Sequence, residues 1–185
     1  KQNSTAKAGD ALYLTKPIGI GVLSTAQKQK KVIDAHAQLA IDTMCELNRV
    51  GSRLGELAGV NALTDVTGFG LGGHLREVCE GSELQAVIQF EGIPVLPHVH
   101  SYLDKGCIPG GTMRNFESYG YAFGDLTERQ RQIICDPQTS GGLLVAVDQA
   151  NAAEFHEVMS TVGLSLQPLG HLREPLADKP LIEVV

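Results

Sequence analysis

"ALTDVTGFGLGGHLREV", residues 62–78, joins a short run containing Asp65 to a segment that reads as a helix, and four glycines (Gly68, Gly70, Gly72, Gly73) make the join. Leu71, Leu75, Val78 and Cys79 share one apolar stripe at helical spacing, so the helix begins among the glycines. Backbone N–H groups at such a join can meet a phosphate. Three readings fit the spelling. Gly68-Phe69-Gly70-Leu71-Gly72-Gly73 satisfies G-x-G-x-x-G, and Glu91 stands at the end of the strand that follows, as in a dinucleotide fingerprint. The approach, however, is polar (Thr64, Asp65, Thr67), and a carboxylate so placed would repel a bare pyrophosphate. A divalent cation between the two removes the repulsion. Magnesium takes one or two carboxylates plus phosphate oxygens, so Asp65 beside the loop suits metal–phosphate chemistry. The third reading is an Asx-turn with glycines at positive φ and no ligand.

A second unusual stretch, "DPQTSGG", occupies residues 136–142 and runs straight into the apolar "LLVAV". Pro137 and the glycine pair mark a turn. Thr139, Ser140 and the N–H groups of Gly141 and Gly142 could form an anion-binding nest, or the hydroxyls could satisfy their own backbone. No G-x-S-x-G elbow makes Ser140 a nucleophile. "HVH" at 98–100 puts two histidines on one side if the segment is extended, but no cysteine or acidic partner is obvious nearby in sequence, which favours surface or capping roles. His74 stands in the first turn after the glycines, where it could approach a phosphate or pack the helix start.

The bulk composition sets wider limits. The chain has 185 residues, 43% hydrophobic and 19% charged, which suits a globular domain with a real core. Net charge is −6, and the densest basic run, "KQKK" at 28–31, reads as a solvated helix face, so no nucleic-acid partner is expected. No apolar run is long enough to span a bilayer, and no signal peptide opens the chain. The four cysteines (Cys45, Cys79, Cys107, Cys135) form no CxxC pair and are expected as reduced thiols, mostly buried, in the cytoplasm.

Along the chain, "DALYLTKPIGIGVL" (10–23) reads as strand, turn at Pro17, and strand again. Ile33, Ala37, Ile41, Met44 and Leu47 predict the longest helix over 31–50. "LTDV" reads as a short strand or turn, and strands are expected at "LQAVIQF" (84–90), "GGLLVAV" (141–147) and "PLIEVV" (180–185). Residues 91–125 read as a long Gly- and Pro-rich connection with one short helix near 98–105. Thr127 and Gln130 make a capping box that starts a helix, and Ala152, Phe155, Met159 and Val162 mark another. Helices alternating loosely with strands predict one layered domain, α/β or α+β.

In combination, "LTDVTGFGLGGHLREV" and "DPQTSGGLL", preceded by "GDALYLTKPIGIGVL", closely resemble the selenophosphate synthetase (selenide, water dikinase) family, within the wider superfamily that includes aminoimidazole ribonucleotide synthetase. The resemblance runs from about Gly9 to the end and matches the C-terminal half of those enzymes. It implies an α+β layered α/β/α domain with a mixed sheet covered by helices. It further implies one C-terminal domain over 1–185, with about 1–10 as linker. The activity implied is conversion of ATP, selenide and water to selenophosphate, AMP and phosphate. Selenophosphate in turn supplies selenocysteine and selenium-modified tRNA. Magnesium is the implied cofactor and Asp65 its ligand; Thr67, Gly68 and Gly70 would line the phosphate end of the cleft. Lys16 would lie near the domain junction, as a phosphate contact or as packing. The family's reactive cysteine or selenocysteine, its lysine and most of its ATP surface belong to an N-terminal half that these residues do not match. The chain is therefore expected to be inactive alone, with its own N-terminal domain as partner and a homodimer as the full-length state. Two alternatives stand beside this: a dinucleotide-binding oxidoreductase using the GFGLGG loop, and a non-catalytic docking module.

Overall fold

Alternation along two strands sets the layers. In a computed structural model describing residues Lys1–Val185, strand β1 (Ala11–Leu14) is buried at every position, and so is β4 (Leu143–Val147). Leu12, Leu14, Leu144 and Ala146 point into one core of 34 buried residues, and Ala11, Tyr13, Leu143, Val145 and Val147 into another of 11 on the opposite face. Successive side chains of a strand point to opposite faces, so one sheet separates the two cores. The other strands are β2 (Val60–Asp65), β3 (Gln85–Ile88), β5 (Gly170–Arg173) and β6 (Ile182–Val184). Their order is β2-β4-β1-β5-β3-β6, antiparallel throughout except for the parallel pair β3–β6.

The larger core is roofed by α1 (Ile20–Lys28), α4 (Gly70–Ser82), α5 (Val99–Asp104), α6 (Gly110–Tyr119) and α7 (Glu128–Ile134), with Ala40 of α2 (Leu39–Cys45) at its margin. The smaller core lies under α3 (Val50–Glu56) and α8 (Ala152–Ser160), which contribute Val50, Leu54, Phe155, Val158 and Met159. The result is the α+β, three-layer arrangement with a mixed sheet that the motifs implied. Each fully buried Leu or Ile in these cores contributes about 1.5–3 kcal/mol. Residues 2–9 lie against the fold: Leu63 N–H donates to the Gln2 carbonyl, Ala6 N–H to Ser82 Oγ, and Gly9 N–H to the Leu172 carbonyl. No helix is long and apolar enough to cross a membrane.

Local expectations diverge from the structure at four places. "IGVL" is not strand but the start of α1. Residues 31–50 do not form the longest helix; they form a 3-10 turn (Asp34–His36), α2 and the first residue of α3, and the longest helix is the 13-residue α4. Three of the five residues of the expected inner stripe are exposed, Ile33, Ile41 and Leu47 at 51%, 37% and 64%, while Met44 packs at the margin of the larger core. The end of α2 is fixed instead by Lys16, whose Nζ donates to the carbonyls of Thr43 (3.2 Å) and Glu46 (2.6 Å), a cation placed where helix carbonyls lack partners. Helix α6 lies within the Gly- and Pro-rich stretch expected as a connection, and β5 forms where the sequence predicts no strand. Of the cysteines, Cys79, Cys107 and Cys135 are buried and Cys45 is exposed.

Candidate functional site

The glycine loop leaves β2 at the sheet edge and enters α4. Its glycines do different things. Gly70 sits at φ +69, and an added Cβ would lie 2.8 Å from the Asp136 carbonyl oxygen. Gly72 and Gly73 admit the Tyr119 ring, at 3.2 and 3.0 Å from their would-be Cβ atoms. Only Gly68 has open space before it. The loop is therefore closed on three sides by packing and open at one residue. Tyr119 O–H donates to the Phe69 carbonyl, and Asn115 Nδ2 donates to the Gly68 carbonyl (2.9 Å), which fixes the loop against α6.

The dinucleotide reading fails on this topology. That fingerprint belongs to a parallel β-α-β unit, with the ligand at the carboxyl ends of parallel strands. Here β2 and β3, on either side of α4, are not neighbours, and β2 pairs only with antiparallel β4.

The "DPQTSGG" stretch has a defined use. Gln138, 4% exposed, accepts at Oε1 from the N–H groups of Gly19 and Ile20, both at 3.2 Å. Asp136 Oδ2 accepts from Gly21 N–H (3.1 Å) and from Gln138 Nε2 (2.7 Å). The first turn of α1 is thus capped by side chains from a distant loop rather than by its own N-cap, Gly19. Burial pushes the Asp136 carboxyl up to about 7, against the opposing pull of hydrogen bonds from Gln138, Gly21 and Val22. Lys16 is buried and donates its remaining hydrogen to the Ser140 carbonyl (2.8 Å), so all three of its donors are spent within the fold and none faces a phosphate. Burial lowers its pKa, partly offset by the Glu46 carboxylate.

The predicted residues are gathered only in part. Asp65 is exposed at the end of β2 and makes no side-chain hydrogen bond. Thr67 Oγ1 lies 3.1 Å from His74 Nε2, whose other ring nitrogen is 3.3 Å from Glu77, so His74 holds the loop. Gly68 lines a polar cleft of about 410 Å³ together with Pro137 and Thr139, which brings the glycine loop and the "DPQT" loop to one place. Ser24, Thr25 and Lys28 of α1 and Arg114 of α6 complete the walls. The sequence reading missed these four. In sequence Lys28 reads as a solvated helix face, and Arg114 falls within the Gly- and Pro-rich connection. The signal available was the break made by Pro109 and the glycine pair of "PGGTMRN", which ends one segment before another begins. A hollow of about 360 Å³ on the other face, with Tyr13 and His171, has no acid or cation in its lining. The ring of His98 stacks on that of His36 at 3.6 Å, and no group of three potential metal ligands gathers there.

A mixed sheet layered between helices, with a glycine loop and a polar cleft at one end, is the class of α+β domain this chain presents. It belongs to the family of AIR synthase related proteins, C-terminal domain, whose model matches residues 7–176. Similar proteins include the selenide, water dikinases of Aeromonas salmonicida (55% identical over 185 residues) and Photorhabdus laumondii (53% over 184); each alignment takes in 100% of this chain and 53% of the relative. The chain thus spans about half the length of the curated relatives it matches. Among solved structures, thiamine-monophosphate kinase from Stenotrophomonas maltophilia aligns over 99% of this chain and 52% of its own, with TM-score 0.67 at 14% identity. The hydrogenase maturation protein HypE in complex with ATP aligns over 100% and 50%, with TM-score 0.67 at 18% identity. At those identities the likeness concerns the fold.

Proposed function

We propose that this chain is the C-terminal half of a selenide, water dikinase, which forms selenophosphate, AMP and phosphate from ATP, selenide and water. The observation that carries the reading is the 55% identity along the whole chain to proteins of that name. The two loops that suggested the family are also the two that meet at the cleft.

Within this reading Asp65 is a magnesium ligand, and Thr67, Gly68 and Gly70 shape the phosphate end. The donor set suits that role: one exposed carboxylate at a strand end, free of side-chain hydrogen bonds and outside any group of three potential ligands, fits a cation completed by nucleotide phosphates and by carboxylates from the other half. Magnesium would supply charge neutralisation at the transferring phosphoryl group. This chain's residues set the loop: His74 orients Thr67, Gly70 lets the backbone turn against Asp136, and Asn115 pins Gly68. The N-terminal half supplies the reactive cysteine or selenocysteine and the lysine, and the full-length protein is a homodimer that works in the cytoplasm. Phosphoryl transfer needs several cations and donors around the phosphates at once, so the half alone is inactive.

Calorimetric titration of ATP with magnesium tests this. Binding is expected to be weak or absent in this chain, restored when the N-terminal half is added, and lost again with Asp65→Asn. The exposed site makes that variant's stability unchanged within about 0.5 kcal/mol. Selenide-dependent ATP consumption by the chain alone, or full turnover by Asp65→Asn in the reunited protein, would refute it.

A further inference from the structure

The cleft between α1 and α6 contains more than the glycine loop needs. Its charged lining side chains are Lys28 and Arg114, both cationic and both exposed, and no carboxylate is among the 13 lining residues. Neither cation belongs to an ion pair of the fold. The hydroxyls of Ser24, Thr25 and Thr139 line the same space. Gly110 and Gly111 open α6, whose N-cap, Pro109, offers no side-chain acceptor to their N–H groups. By contrast, the N-terminus of α1 across the cleft is already filled by Gln138 and Asp136.

Arg114 turns back toward the start of its own helix: a Cβ on Gly110 would be 3.5 Å from a guanidinium nitrogen. A cation beside the positive end of a helix is electrostatically unfavourable by itself. Here Lys28 lines the same cleft, and no carboxylate lines it to offset the repulsion. The floor is rigid. Asn115, 7% exposed, ties Gly68 (2.9 Å) and Cys135 (3.0 Å) carbonyls to α6, so its amide hydrogens are spent and its position is fixed. Cations, hydroxyls and free N–H groups are a set of donors in need of an acceptor with several oxygens and negative charge.

We propose that this cleft binds a tetrahedral phosphate-class oxyanion. Arg114 and Lys28 serve as its cations, and the Gly110 and Gly111 N–H groups with the Ser24, Thr25 and Thr139 hydroxyls as its hydrogen-bond donors. It rests on the dikinase reading only for the anion's place in the reaction, as the phosphate or phosphate-like product that is neither ATP nor AMP. The guanidinium fork matches two oxygens of such an anion, and the lysine adds a point charge.

The test is amide-detected NMR titration of the 185-residue chain with inorganic phosphate, in chelator and at constant ionic strength. Saturable shifts are expected at Gly68, Gly110 and Gly111. Arg114→Gln weakens binding about ten- to a hundredfold, the loss of a charge-assisted pair. Arg114→Lys recovers part of it, Lys28→Gln has a smaller effect, and Asp65→Asn has none. Both cations are exposed and unpaired, so the variants melt at or slightly above the wild-type temperature. The proposal is overturned if phosphate gives no saturable shift, if chloride reproduces the shift, or if the double variant Lys28→Gln/Arg114→Gln responds as the wild type does. Failure of the dikinase reading has a different signature: phosphate still binds with dependence on Arg114, while Asp65→Asn in the reunited protein keeps its turnover.

Discussion

Replacing Gln138 by alanine should uncouple α1 from the rest of the domain. The side chain satisfies two N–H groups of the helix start, Gly19 and Ile20 at 3.2 Å, and donates to the Asp136 carbonyl (2.8 Å) and carboxylate (2.7 Å). Losing an N-cap acceptor costs about 1–2 kcal/mol. Leaving the buried Asp136 with one fewer donor adds about 1–3 kcal/mol. Some relaxation and water entry will offset part of the sum, so the expected loss is about 2–4 kcal/mol, a large fraction of a domain's stability. Urea unfolding at pH 7 measures it, with the m-value unchanged because the unfolded state exposes the same surface. Native-state hydrogen exchange should localise the effect, with faster exchange at Ile20 and Gly21. Gln138→Glu keeps the acceptor but gives up the donor and adds a second carboxyl beside Asp136, so it should lose stability mainly as pH rises. The reasoning is refuted if Gln138→Ala costs no more than Thr139→Ala at the exposed neighbouring position, or if exchange at the start of α1 is unaltered.

Asp136, raised from 3.8 to about 7, binds its proton more tightly folded than unfolded. Its contribution is therefore present below about pH 4 and lost as pH rises through about 7, by at most about 4 kcal/mol. Asp136→Asn should flatten this fall in urea unfolding across pH 4–8, and an unchanged slope would exclude it. Lys16→Met leaves three carbonyls without a donor and should lower stability by about 2–4 kcal/mol by calorimetry, with early fraying at the end of α2. Gly70→Ala meets both a left-handed backbone and the Asp136 carbonyl and should cost more than about 2 kcal/mol, whereas Gly68→Ala, with open space before it, should melt within a few degrees of wild type.

What could be read from the chain was what it writes locally. The β2–loop–α4 join, the apolar run of β4 and the capping box of Thr127 with Gln130 depend on neighbours in sequence, and the structure contains all three. The start of α1 depends on Gln138, which is far away along the chain, so "PIGIGVL" looked like more strand. Helix α6 has a helical inner face, Thr112, Asn115 and Tyr119, but it is largely polar and escapes a count of apolar residues. Strand β5 buries only Leu172 and so lacks alternation. Asp65 and the glycines were visible as a motif. The cations opposite them were not, because α1 and α6 approach only once the sheet is built.

The strand order has a consequence for how the chain must be assembled. Strand β4 separates β1 from β2, and β1 has no partner but β4 and β5. A nascent chain that has reached Gly142 therefore holds three strands, β1, β2 and β3, with no ladder among them, and the cap of α1 has only just been made available. Arrival of Leu143–Val147 joins β1 to β2 in one step. Contacts so distant in sequence are slow to form, because the loop must close before it is rewarded. The smaller core and the α1 cap should then be fixed together, late, once residues 143–159 have joined β1 to β2.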